Sequence, residues 1–336
     1  VQPPLTPAGR VSSVPAWALQ LPLAPVRAML LTGAWSPQVS ADCKILISLG
    51  SDPQSVQALC ASLSHQPEAR LVHHRLKWTT IGDPSERVHW AQPKETWALL
   101  ASLLREVELD RFAEVILDAL IRAPVDEAIS STDMPSKVVR AGLVYSLALL
   151  GSSDGLIPAS PLPSARAASI VSSLLVAQTE RWIQLADYLP LLAEAAPDAF
   201  VTAIERCLFT DDSESASLWG GNPQVQKQAA RALAVLALDV DLLERAALGL
   251  AGLAEYGEKP KPNIRDSHPL QCLEEIFNFH YPKTNAPIDE RLSVLRKVVR
   301  VHPQVAWPLL MELLPMQRMV AIHLPLPQVL RISVPP

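Results

Sequence analysis

Catalysis needs nucleophiles, bases or metal ligands close together in space, and it usually leaves a local spacing that can be read along the chain. The four cysteines, Cys43, Cys60, Cys207 and Cys272, are far apart. They form neither a CxxC pair nor a partnered set, which argues against a zinc site and against a disulfide framework, and fits a reducing cytoplasm. No GxSxG elbow sets a serine on a strand-to-helix turn. His73 and His74 are adjacent, and successive side chains of a strand point to opposite faces, so the two cannot grip one ion. Asp211, Asp212 and Glu214 form an acidic cluster with Ser213 and Ser215 between them. Without the glycine and distal glutamate of a calcium loop, that cluster reads as a solvated turn. Neither GxxxxGKS nor GxxxxGKT occurs, and Gly220-Gly221 sits beside Asn222-Pro223 with no lysine to reach a phosphate. The expectation is a protein that is not an enzyme, with no catalytic residue, no metal and no cofactor.

Binding chemistry is easier to find. Arg291, Arg296, Lys297 and Arg300 mark one face of a late helix whose other face carries Leu292, Leu295, Val298 and Val299. The loop 257–268 displays Lys259, Lys261 and Arg265 among turn-forming residues. Lys259, Lys261, Arg265, Arg296 and Arg300 are therefore the candidate ligand surface, for a protein ligand of unspecified identity. Among the aromatics, Trp182, Tyr188, Trp219, Tyr256, Phe277, Phe279, Tyr281 and Trp307 could be anchors, although aromatics at helical spacing usually fill a core. A net charge of -5 gives no general attraction to a phosphate backbone. Arg70, His73, His74, Arg75 and Lys77 nevertheless make one short segment basic, so Arg70, Arg75 and Lys77 are the alternative DNA contacts. The helix expected just before them, 53–64, has no Lys or Arg with which to read a groove, so nucleic acid is the lesser expectation.

The elements that must position these side chains follow from periodicity. The chain has 336 residues, 49% of them hydrophobic and only 5% aromatic, with 31 prolines and 12 glycines. Length suggests about two structural units. Proline is excluded from helix interiors, so this many must punctuate many short helices. Val39, Cys43, Leu46 and Ile47 recur at helical spacing before Gly50, and Val56, Leu59, Cys60 and Leu63 after Pro53. The stretch 70–81 is rich in branched and aromatic residues and reads as a β-ribbon closed by Gly82-Asp83-Pro84. Helices followed by a β-ribbon is the order of a winged helix.

From Lys94 the period is helical, with helices expected over 165–177, 182–195, 197–208, 223–238, 240–255, 269–279, 288–301 and 303–314. Residues 189–208 align without gaps on 295–314, each a helix, a turn and a second helix begun by proline. Neither helix of such a pair hides its apolar stripe alone, so pairs must stack. The expected fold is mostly α: a small winged-helix-like unit with a β-ribbon, then an irregular α-solenoid of TPR- or HEAT-like helical hairpins. The expected division is 1–36, linker and start of the helical region; 37–92, the winged-helix-like unit; 93–315, the helical repeat; and 316–336, a proline-spaced tail. No apolar run reaches the roughly 18 residues needed to span a bilayer. The opening at Val1 leads to the expectation that the natural protein extends upstream.

Several short motifs carry a family resemblance. Leu31-Thr-Gly-Ala-Trp35, Ala41-Asp42-Cys-Lys-Ile-Leu46, Leu76-Lys-Trp78, Glu95-Thr-Trp97 and Asp110-Arg-Phe112 resemble the region after the nucleotide-binding core of large bacterial STAND-type NTPases. The run from Ser136 through Arg140, Gly142 and Gly151, with 188–197, Ile276-Phe277 and Lys283-Thr-Asn-Ala286, resembles their helical array, so the match covers roughly residues 15 to 315. The resemblance implies a winged helix behind an ATPase switch and a C-terminal sensor array, in proteins many of which act in anti-phage defence. The upstream NTPase and effector domains of the same chain would be its partners. The rival expectation is a DNA-binding regulator that uses the winged helix, with the helical array for oligomerisation.

Overall fold

Proline sets where the helices begin. In the computed structural model, Pro93, Pro163, Pro197, Pro223, Pro269 and Pro303 each stand first in a helix, where the missing N–H has no intrahelical partner to lose. The structure describes residues 23–50, 52–58, 76–80, 86–121, 134–160, 162–176, 178–209, 216–256, 268–279, 281–314 and 326–329. It is mostly helical, and its packing divides into two compact units, Val1–Ala167 and Ala168–Pro336. That division falls inside the stretch 93–315 read from the sequence as one array.

In the first unit, α1 (Leu23–Thr32) is buried along most of its length and is followed by the short strand β1 (Ala34–Trp35). β1 pairs antiparallel with β3 (Glu86–Trp90), which pairs antiparallel with β2 (Leu76–Thr80), giving the order β1-β3-β2. The ribbon expected over 70–81 appears as β2, and 70–75 lies outside the described residues. β1 and β3 were not anticipated: β1 is only two residues long, and the charges of Glu86 and Arg87 mask the alternation that buries Val88 and Trp90. Trp90 Nε1 donates to the Met29 carbonyl at 3.1 Å, tying β3 to α1.

α2 (Ser40–Leu49) follows, then a helical stretch over 53–58. Gly50 ends α2 in extended backbone rather than a left-handed cap, and a Cβ there would meet the Val56 side chain at 2.5 Å. Its role is close approach. α3 (Pro93–Leu100) runs on as a 3-10 turn, Ala101–Leu103, and α4 (Glu106–Ile121) packs on α2. α5 (Lys137–Gly151) lies against α1 and β1. Two glycines permit this contact: Gly33 adopts φ 73°, and a Cβ on Gly142 would sit 2.4 Å from both the Thr32 carbonyl oxygen and the Ala34 nitrogen.

The division between units falls within α6 (Pro163–Leu174). The helix expected over 182–195 is broken into α7 (Thr179–Leu185), a 3-10 turn (Ala186–Tyr188) and α8 (Leu189–Ala195). Pro190 explains the break, since it cannot donate to the turn before it. α9 (Pro197–Phe209) follows, then a π-helical turn (Ala216–Gly220), α10 (Pro223–Leu236), α11 (Leu243–Tyr256), α12 (Pro269–Phe277), α13 (Ile288–Val301) and α14 (Pro303–Leu313). Neighbouring helices pack in turn: α10 on α8, α11 on α9 and α10, α12 on α10 and α11, α13 on α11, and α14 on α12 and α13. Small residues set the spacing, since a Cβ on Gly249 would lie 3.1 Å from Leu233, and one on Gly252 would lie 2.9 Å from Leu208. Trp182 meets Trp219 edge to face at 5.3 Å and Phe200 at 6.4 Å, so these aromatics are core. Part of the tail is packed: Gln328 and Val329 donate backbone N–H to the buried Glu194 carboxylate, and Val329 is itself buried.

Candidate functional site

Several ionisable groups buried among the described residues tie elements together. Asp42, in the first turn of α2, is fully buried and accepts from the Ser36 N–H at 2.9 Å, the Ser136 N–H at 2.8 Å and the Ser136 hydroxyl at 2.6 Å. Ser136 is also the N-cap of α5, accepting from the Val139 N–H, so one carboxylate fixes the starts of two helices and the strand exit. Burial pushes the Asp42 carboxyl above its ordinary range, against the lowering effect of these hydrogen bonds and of Arg140. Arg27 of α1 pairs with Glu108 of α4 at 2.7 Å, both nearly solvent-free, and the other Glu108 oxygen accepts from the Arg105 N–H.

In the second unit, Arg245 of α11 holds Glu205 of α9 through two hydrogen bonds of 2.9 and 2.7 Å, with Asp198 at 2.9 Å and Thr202 at 2.8 Å. Such bidentate geometry fixes helix register as well as charge. Cys272 is buried, and desolvation with Glu275 and Glu274 close by raises its thiol, which keeps it protonated and unreactive. Glu274 is pushed up to about 7, chiefly by burial and then by the charge of Glu312.

A pH effect follows from Glu274. Because its carboxyl binds a proton more tightly folded than unfolded, stability is greatest below its ordinary value of 4.5 and falls as pH rises through about 7. Glu274→Gln is expected to flatten this slope and to stabilise the protein at pH 8 by roughly 1 kcal/mol, after discounting for partial exposure. Thermal melts from pH 5 to about pH 8 would show it. Parallel melting curves for both proteins would refute it.

Among the described residues, no group of three or more His, Cys, Asp or Glu could hold a metal ion. An open groove of about 500 Å³ between α2 and α4 is lined by Lys44, Ile45, Ser48, Glu114, Val115 and Asp118 among others. Ser48 in this groove donates its hydroxyl to the Ile45 carbonyl at 2.7 Å. No helix among the described residues is long and apolar enough to cross a membrane.

Of the surface residues expected from the sequence, Arg296 and Arg300 are exposed on α13, one turn apart. Neither has an ion-pair partner among the described residues. Lys297 on the same helix pairs instead with Glu244, and Arg291 donates to the Asn278 carbonyl at 3.0 Å. Lys77 lies on β2 in register with His89. Arg70, Arg75, Lys259, Lys261, Arg265, His73, His74, Asp211, Asp212 and Glu214 lie outside the described residues.

The sequence set Leu292, Leu295, Val298 and Val299 on the face opposite the arginines. The structure buries Val298 and leaves Leu292 and Val299 exposed beside Arg296 and Arg300, because the buried face of α13 is centred on Val294 and Val298. Ile288, Leu292 and Val299 of α13 and Trp307 and Met311 of α14 are exposed, with Leu314 just beyond. Trp307 is exposed, as are Phe279 and Tyr281, whereas Trp182, Trp219 and Phe277 are buried. The available signal was the i, i+4, i+7 spacing of Trp307, Met311 and Leu314. It reads equally well as a buried stripe. Compared with known proteins, the chain matches no family model, no curated protein and no solved structure.

Proposed function

We propose that this chain is a non-catalytic sensor and protein-interaction module of a larger bacterial STAND-type NTPase, working in the cytoplasm in antiviral defence. A winged-helix-like hinge precedes an irregular solenoid of helical hairpins, and a protein ligand on the solenoid sets the activity of an upstream ATPase and effector. The element order supports the hinge: a helix, a short strand, helical segments and two further strands, with the first strand pairing on the last. The packing of α8 to α14 in turn supports the array.

The observation that carries the reading is the contrast between interior and surface. Inside, Asp42, Glu108 and Glu194 are taken up in holding elements together, and half-buried Arg245 ties α11 to α9. Outside, the α13–α14 pair presents Trp307, Met311 and Leu292 beside Arg296 and Arg300, the residue types that anchor protein interfaces.

The test is ATP turnover by the longer protein with and without the second compact unit, residues 168–336. Loss of the array is expected to change turnover at least about tenfold, the scale of a typical coupling energy. Unchanged turnover would reject a regulatory role. Tight, salt-dependent binding of the chain to a short DNA duplex, lost on Arg75→Glu with Lys77→Glu, would reject it in favour of a DNA-binding regulator.

A further inference from the structure

The internal repeat shows what the exposed face of the last hairpin is built to do. Aligning 189–208 on 295–314 sets Ala193 against Val299, Val201 against Trp307, Ile204 against Leu310 and Leu208 against Leu314. In the first copy α10 and α11 pack over α8 and α9, with Ile204 and Leu208 next to Gly249 and Gly252 of α11. Ala193 and Val201 are 0% exposed there. In the second copy the corresponding Val299 is 38% exposed and Trp307 69%. The side chains there are larger and more apolar, and they face solvent. An apolar face on a stacked helix pair is a surface that another apolar surface can cover.

The charges on α13 indicate the occupant. Ile288, Leu292 and Val299 form one strip, and Asp289, Arg296 and Arg300 lie along the same flank of it, the acid near the N-terminal end and the bases near the C-terminal end. An antiparallel, two-fold pairing of α13 with itself keeps that flank on the same side in both copies. Setting Leu292 opposite Val299 of the other copy then places Asp289 within about 3 Å, along the axis, of the partner copy's Arg300, and does so twice. None of the three has an ion-pair partner among the described residues to compete.

We infer that the α13–α14 face is a homodimer interface, which seats a second copy of this chain antiparallel on Leu292, Val299, Trp307 and Met311, with paired Asp289–Arg300 contacts at its edge. The inference takes from the proposed function only that this face is an interaction surface. Two helices of 14 and 11 residues about 10 Å apart give a footprint on the order of 400 Å² per copy. That is below the roughly 600–1,000 Å² per partner of stable complexes and fits only weak, transient association.

Sedimentation equilibrium of the full chain across the micromolar range tests this. The wild type is expected to dimerise with Kd on the order of 10 µM. Leu292→Glu with Trp307→Glu is expected to be monomeric with an unchanged circular dichroism spectrum. Asp289→Arg and Arg300→Asp alone should each weaken the dimer about tenfold, and the double exchange should restore it. A wild type monomeric throughout overturns the inference, as does a dimer that survives Leu292→Glu with Trp307→Glu. A double exchange no tighter than the single ones also overturns it. A monomeric wild type combined with altered ATP turnover on removing 168–336 would reject the dimer and leave the regulatory role standing.

Discussion

Replacing Asp42 with alanine is expected to cost the first unit about 3–5 kcal/mol, because three donors lose their acceptor together in a site closed to water. The Ser136 hydroxyl can turn toward another acceptor, but the Ser36 and Ser136 N–H groups are fixed by the backbone. Asp42→Asn keeps one acceptor oxygen and turns an NH2 toward the donors, so it should lose roughly half as much. Urea unfolding followed by fluorescence of Trp35, Trp90 and Trp97, which are all buried in this unit, reads the effect. A loss under about 1 kcal/mol for the alanine variant would mean that the carboxylate is not the tie described.

Glu108→Ala is expected to be comparably severe, at about 3–5 kcal/mol, for a different reason: it strands the Arg27 guanidinium as an uncompensated charge. Arg27 is 3% exposed, so water cannot replace the lost partner. The double variant Arg27→Met with Glu108→Leu should recover most of the loss, because hydrophobic residues of similar volume can substitute for a buried pair at little cost. The two single variants and the double variant make a thermodynamic cycle. Equal losses for Glu108→Ala and for the double variant would show that packing around α4, rather than the stranded charge, sets the penalty.

The helical texture was legible because proline and leucine report it directly. Pro197, Pro223, Pro269 and Pro303 open helices where the sequence placed them, and the span 288–301 is matched end to end. Small strands were harder to read. β1 has two residues and gains its partner, β3, only after more than 50 intervening positions, so no local window contains the pair. The packing of the tail was not legible either. Glu194 reads as an ordinary helical glutamate, and nothing local shows that the Gln328 and Val329 amides close on it.

The motifs that carry the family resemblance acquire a physical meaning in the first unit. Gly33 and Gly142, more than 100 positions apart, meet backbone to backbone, and Asp42 meets Ser136. Trp97 Nε1 donates to the Ser153 hydroxyl at 2.7 Å. In this chain these residues act as fasteners. The candidate surface was half legible for a related reason: Arg296 and Arg300 announce a polar helix face, whereas the strip of Leu292, Val299 and Trp307 has the same spacing as a buried stripe. Only packing decides which stripe is covered.

Amide hydrogen exchange at Ser36 and Ser136 tests most directly whether the buried carboxylates are fasteners rather than reactive groups. Both amides donate to Asp42, so both should exchange only on unfolding of the first unit, as slowly as its core helices, and should lose that protection together in Asp42→Ala. Fast exchange of either amide in the wild-type protein would mean that Asp42 stands free to titrate and to react, and the account of a non-catalytic interaction module would be contradicted at its base.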